Sequence, residues 1–387
     1  MNVFVYDILE IIFDKLDFIS QIRLCQIECL SYTNIHMTDF YDIPKGVKSK
    51  LCDNILRQYQ DITKLDASDN SRITNVNHFK QLMHLDASGK CGIDQDGIAE
   101  PFNLVGLNVT ENSNITSLNH LKRLQELDAM FNCGIDQSGI AGLHNLVRLN
   151  AGSNSKITSV NHLKRLEKLD ATSICWGECG IDQIGIAGLR SLIVLNSYSN
   201  PKITSVNHLQ QLRELYAGKG ITQEGIADLR GLIRLKLPYN KNITSVNHLT
   251  QLRELDACYS GIDQAGIAEL RNLIRLNISA DLKIGSVNHL EELQELEVYT
   301  HGAHLGEYKW EIDQMLKLYA EPKTTDDHLI LQIVQAMNKC GTYEVQPHEL
   351  INIIRLALSL GTKLKISGSS FSGLKLCGHV CDVLCVM

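Results

Sequence analysis

The sequence predicts an α/β repeat solenoid built on a parallel inner sheet, and three observations predict it. One phrase recurs six times: ITNVNHF from Ile73, ITSLNHL from Ile115, ITSVNHL from Ile157, Ile203 and Ile243, and IGSVNHL from Ile284. The starts are separated by 42, 42, 46, 40 and 41 residues. A second phrase interleaves with it: GIDQDGIA, GIDQSGIA, GIDQIGIA, GITQEGIA and GIDQAGIA, with isoleucines at positions 93, 135, 181, 221 and 262. Each pair of phrases is therefore two alternating units of roughly 20 and 22 residues. No unit of that length buries its own apolar face, so the array is expected to stand as a stack. Third, every unit carries a strand-like apolar alternation around one leucine.

Within a unit the elements follow in order. Leu146, Leu149 and Ala151 lead into a turn at Asn154 and a return at Ile157. Leu149 and Ala151 alternate onto one face, as a short strand requires. Asn154 is expected to turn its amide onto backbone groups where the chain leaves the strand. In ITSVNHLKRL, apolar residues step by three through Ile157, Val160, Leu163 and Leu166, which suits a 3₁₀-like or short helical return. Twelve strands are predicted, with leading leucines at 65, 85, 107, 127, 149, 169, 195, 215, 235, 255, 276 and 296. The turn asparagine falls in alternate turns at Asn70, Asn112, Asn154, Asn200 and Asn240. Cys91, Cys133 and Cys179, each followed by glycine, read as small fillers of other turns. The insertion from Thr172 to Cys179, carrying Trp176, is expected to bulge from one edge.

Composition narrows the function. The chain has 387 residues, 44% hydrophobic and 21% charged, with a net charge of −7. That balance supplies no basic field for a nucleic-acid backbone. No run of about 18 apolar residues is present, so no membrane span is expected. Residues 1–13 are interrupted by Asp7 and Glu10 and lack a basic lead, so they do not read as a secretory signal. The 12 cysteines are then expected as reduced thiols in a cytoplasmic or nuclear compartment.

Over about 63–300 the array resembles the leucine-rich-repeat family. Its period is the family's, and the resemblance implies a scaffold rather than a reaction. The N-terminus adds a second resemblance. Residues 4–16 read FVYDILEIIFDKL, with Ile8, Leu9, Ile12, Phe13 and Leu16 on one helical face. Together with Asp7 these fall on the positions of an F-box opening, LPxEILxxIFxxL. Phe4 stands for the family's leading leucine and Val5 for its proline. The family's later tryptophan is absent, while Leu24-Cys25 resembles the apolar-Cys pair before it.

The resemblance implies that Ile8, Leu9, Ile12, Phe13 and Leu16 dock on a Skp-type adaptor of a cullin–RING ubiquitin ligase. The repeats would hold the target protein, and the ligase would supply the chemistry elsewhere. The near-identical repeats look most like F-box/leucine-rich-repeat paralogues of giant DNA viruses, which implies a host cytoplasm as the setting. The other reading of residues 1–40 is an amphipathic cap, which makes the chain an interaction scaffold with no ubiquitin link. The expected organisation is an F-box-like helical segment over 1–40, a linker and cap over 41–62, the solenoid over 63–300 and a helical C-terminal cap over 301–387.

Candidate chemistry is weighed against packing. His78, His120, His162, His208, His248 and His289 occupy one place in every second unit. They should lie about 10 Å apart, too far to share a zinc ion that holds nitrogen at ~2.0–2.1 Å. The Asp-Gln pairs, such as Asp136-Gln137 and Asp182-Gln183, are placed to cap the helical turn that follows. Cys377, Cys381 and Cys385 match no standard zinc spacing and no CaaX box. No P-loop, HExxH, GxSxG or dinucleotide fingerprint is present; no enzyme, metal or cofactor is implied.

The outward residue after each strand leucine forms an Asp/Asn stripe, interrupted at Tyr216 and Lys236. Those two, with Tyr198 and Arg234, mix aromatic and charged groups as interface anchors do. They are the expected target-binding residues.

Overall fold

The computed structural model describes residues 16, 20, 38–41, 43–100, 103–174, 177–279, 284, 287, 289–299 and 363–366. The chain divides into two compact units, residues 1–192 and 193–387.

The first unit opens with β1 (Asp39–Phe40), then two single-turn helices, α1 (Lys45–Lys48) and α2 (Asp53–Leu56). Six strands follow, each centred on a predicted leucine: β2 (Lys64–Asp66), β3 (His84–Asp86), β4 (Gly106–Asn108), β5 (Glu126–Asp128), β6 (Arg148–Asn150) and β7 (Lys168–Asp170). Successive strands pair parallel and in register, leucine opposite leucine from Leu65 to Leu169. The strand β1 adds a rung that the repeat pattern did not signal, with Phe40 opposite Leu65. Phe40 is buried and meets Tyr59 edge-on at 5.1 Å. Lys48 of α1 reaches Asp66 at 2.6 Å, tying this cap to the first leucine strand.

The second unit repeats the scheme with β8 (Val194–Asn196), β9 (Glu214–Tyr216), β10 (Arg234–Lys236), β11 (Glu254–Asp256), β12 (Arg275–Ser279) and β13 (Glu295–Tyr299). These are again parallel and in register from Leu195 to Leu296. Both units are leucine-rich-repeat solenoids. A further strand, β14 (Lys363–Ile366), pairs parallel with β13. It corrects the expectation of a purely helical region over 301–387: the edge of β13 is covered by a strand. The helices expected elsewhere in 301–387 lie outside the described residues.

Each rung buries the same set. The strand leucine and the residue two beyond it, mostly alanine, point inward, while Ile157, Val160, Leu163 and Leu166 close the return. Fully burying one such aliphatic side chain stabilises by roughly 1.5–3 kcal/mol, and the set recurs in every rung. The return is not a continuous helix. It is a chain of tight turns, in which Leu163 N donates to Val160 O at 2.9 Å and Leu166 N to Leu163 O at 3.1 Å. The one-turn helices sit instead in the GIA phrase: 3₁₀ at Asp96–Ile98, Glu224–Ile226 and Ala265–Ile267, and α3 (Gln183–Ile186). Their glycine is forced by packing. A Cβ on Gly97 would collide with the Thr74 carbonyl oxygen, and one on Gly185 with that of Thr158.

Candidate functional site

Most of the repeated polar residues are committed to holding turns. Asn154 is fully buried; its Nδ2 donates to Ala129 O at 2.9 Å and Ile135 O at 3.2 Å, and its Oδ1 accepts from Lys156 N at 2.9 Å. Asn112 and Asn240 repeat this pattern. Asp136 accepts from Gly139 N at 2.9 Å and Asp182 from Gly185 N at 2.8 Å, the capping expected of them. Gln137 Oε1 accepts from Thr158 N at 3.0 Å and Ser159 N at 2.8 Å, clamping the next turn.

Four of the six repeated histidines hold the stack as well. Nε2 of His120, His162, His248 and His289 lies 2.7–3.1 Å from the carbonyl oxygen of an isoleucine 22 residues earlier. Cys91, Cys133 and Cys179 are buried, and burial pushes the Cys91 thiol up to about 11. Among the described residues no group of three or more His, Cys, Asp or Glu side chains is arranged to hold a metal. Nor is any helix among them long and apolar enough to cross a membrane. Cys377, Cys381, Cys385 and Trp176 lie outside the described residues. Ile174 and Gly177 of the insertion over 172–179 pair through an antiparallel bridge.

The outward stripe has a local cause that the sequence reading missed. Its Asp and Asn side chains accept the backbone N–H two residues on: Asp86 from Ser88, Asn108 from Thr110, Asp170 from Thr172 and Asp256 from Cys258, at 2.9–3.1 Å. Each is an Asx turn ending a strand. At Lys236 the residue two on is Pro238, which has no N–H to satisfy. The turn chemistry therefore lapses there, and the position is open to a different side chain.

Tyr216 and Lys236 face one another in register across β9 and β10, with Lys236 Nζ 4.9 Å from the Tyr216 ring centroid. This is a cation–π pair on a half-buried surface. Tyr198 lies two beyond Asn196 and is also half-buried; its N donates to Asn196 Oδ1 at 3.2 Å.

Arg234 stands differently. It is held between Glu214 at 2.9 Å and Glu254 at 3.0 Å, and Arg275 continues the row between Glu254 at 2.8 Å and Glu295 at 3.0 Å. The hydrogen bond that Arg234 donates to Glu254, then the Glu214 charge, raise the pKa of its guanidinium above the ordinary value. Arg234 is thus a member of an alternating charge ladder. A shallow depression beside this row is lined by Lys236, Asp256, Arg275 and Asn277. In the first unit the outward residues that follow the strand leucines are Asp66, Asp86, Asn108, Asp128, Asn150 and Asp170. Burial raises the Asp128 carboxyl, the Asn150 hydrogen bond opposes that, and the Asp86 and Asp170 charges add to the rise.

Of the expected adaptor-binding residues, Ile8, Leu9, Ile12 and Phe13 lie outside the described residues, and Leu16 is half-buried at a bend.

Comparison with known proteins is confined to structure. No family model matches the chain, and no curated protein matches it. Among solved structures, TLR13 in its complex with ssRNA13 is similar over 62% of this chain and 42% of its own, at 19% identity and a TM-score of 0.45. The functional domain of InlJ from Listeria monocytogenes is similar over 64% and 60%, at 21% identity and a TM-score of 0.43. Rad7, from the yeast complex of Rad7 and Elc1, is similar over 76% and 88%, at 17% identity and a TM-score of 0.43. The chain thus spans less than two thirds of the first two. The assignment of the fold rests on the strand register and the buried asparagines.

Proposed function

We propose that the chain is a substrate-recognition subunit of an SCF-type ubiquitin ligase. Residues 1–40 would dock on the Skp-type adaptor, residues 41–62 would join them to the solenoid of 63–300, and residues 301–387 would cap it. The target protein would lie on the inner sheet of the second unit, over Tyr198, Tyr216 and Lys236. The observation that carries this reading is the pattern Ile8, Leu9, Ile12, Phe13 and Leu16 joined to a solenoid. In the second unit that solenoid's sheet carries Lys236 where Pro238 leaves no N–H for an Asx turn, with the Tyr216 ring beside it.

Arg234 has a lesser part, because its guanidinium is already shared by two carboxylates and a partner would have to displace one. The family resemblance places the reaction on the ligase, in the host cytoplasm for a viral chain.

The test is capture of a Skp-type adaptor by the full chain. Ile12→Asp with Phe13→Asp should abolish capture and leave the repeats' circular dichroism unchanged. In the target complex, Tyr216→Ala should weaken binding about thirtyfold, the loss of a ~2 kcal/mol anchor. Absence of adaptor capture by the unaltered chain would leave the second reading, an interaction scaffold with no ubiquitin link.

A further inference from the structure

The residues two before each strand leucine form their own backbone ladder. In the second unit Arg213 N donates to Ile193 O, Ile233 N to Arg213 O, Arg253 N to Ile233 O and Ile274 N to Arg253 O, at 2.8–2.9 Å. These bonds stack five side chains at the sheet spacing of ~4.8 Å per rung, and Gln294 N extends the ladder to Ile274 O at 2.9 Å. The row therefore reads Ile193, Arg213, Ile233, Arg253, Ile274.

Ile193 and Ile233 are 36% and 39% exposed, unusual for large apolar residues in this chain. Arg213 and Arg253 are exposed. The carboxylates beside them in the chain are engaged elsewhere: Glu214 turns to Arg234, and Glu254 to Arg234 and Arg275. Arg213 uses one nitrogen to donate to Gly231 O at 2.8 Å, which orients its guanidinium and leaves its other N–H donors. The fold does not demand this composition. The equivalent ladder in the first unit runs Thr63, Met83, Val105, Gln125, Val147, Glu167 and carries no cation.

We infer that this row docks an extended acidic and apolar segment of a protein partner. Isoleucines on alternate rungs are about 10 Å apart, the length of three residues of extended chain at ~3.3 Å each. A segment with an apolar residue at every third position would set those residues against Ile193, Ile233 and Ile274. Carboxylates between them would meet the Arg213 and Arg253 forks, whose planar donors accept a carboxylate bidentately. The occupant is acidic because the only charges in the row are cationic, and extended because its residues must match side chains set at sheet spacing. This surface lies off the Tyr216–Lys236 face, and its use is independent of any ubiquitin link.

The test titrates the full chain with a labelled synthetic peptide of Ile-Glu-Asp repeats, about nine residues long, to span the row. Oligoglutamate and an Ile-Lys-Lys repeat of the same length serve as comparisons. The Ile-Glu-Asp peptide should bind at least tenfold more tightly than either. Arg213→Glu with Arg253→Glu should weaken it at least tenfold and favour the lysine peptide. Ile193→Ser with Ile233→Ser should also cost about tenfold. Circular dichroism should be unchanged, because all four side chains are exposed, and adaptor capture should be unaffected. Equal binding of oligoglutamate would reduce the row to a diffuse anion surface and overturn the proposal. So would no binding, or binding indifferent to these substitutions. Self-association in sedimentation that Ile193→Ser with Ile233→Ser abolishes would assign the row to a second copy of the chain and overturn it too.

Discussion

At the scale of single residues, the consensus is a set of hydrogen-bond solutions rather than a set of reactive groups. Asn154 shows the demand most plainly. It is wholly buried, and it satisfies two carbonyl oxygens of the preceding turn and one N–H of its own. Replacing it with alanine removes that partner from all three, and leaves Ala129 O only the Cys133 thiol. An unsatisfied buried polar group costs ~1–3 kcal/mol, so Asn154→Ala is expected to lower unfolding free energy by about 3 kcal/mol in urea denaturation. Asn242, whose side chain donates to Lys219 O at the exposed surface, should change little when replaced by alanine. The asparagine role was legible because its spacing matched the strand leucines. The left-handed backbone just before it was not. Asp69, Glu111, Ser153, Ser199 and Tyr239 all adopt φ between 53° and 60°, yet they share no side-chain type. The turn imposes that conformation whatever residue bears it, and Tyr259, followed by Ser260 rather than asparagine, adopts it too.

Elements were legible wherever the leucine period reached, and only there. Strands β2 to β13 sit on the twelve predicted leucines. The strands β1 and β14 were missed because neither precedes an asparagine turn or an ITSVNHL return; each is recruited by an edge that would otherwise leave backbone groups unpaired. The charge ladder was also present in the sequence, as Glu214, Arg234, Glu254, Arg275 and Glu295 at one strand position. Reading Arg234 alone as an anchor overlooked that a parallel register sets like positions side by side, so its nearest partners are glutamates of adjacent strands. Such exposed pairs contribute less than about 1 kcal/mol each and weaken with salt. A double-mutant cycle of Arg234→Gln and Glu254→Gln should give a coupling of that size at low ionic strength and almost none at 1 M salt. Coupling that survives high salt would mean the pair is shielded from solvent, contrary to its exposure.

For the whole molecule, the repeated rung sets how damage spreads. Each strand pairs only with its immediate neighbours within a unit, and each turn's asparagine and glutamine reach back or forward by a single repeat. Stability is then a sum of rung terms and nearest-neighbour terms. A cavity in one rung should open its neighbours before it is felt elsewhere. Leu149 is 2% exposed at the centre of β6, and cutting it to alanine should cost ~2–5 kcal/mol. Hydrogen exchange should therefore accelerate most for the amides of β5, β6 and β7. Those of β10, β11 and β12 should change little, since the pairing partners of β6 are β5 and β7. A globular core would respond differently, because one cavity lowers the free energy of a single cooperative unfolding step and every slowly exchanging amide speeds up together. Uniform acceleration across both units would show that the stack unfolds all at once, and that the nearest-neighbour account of its stability is wrong.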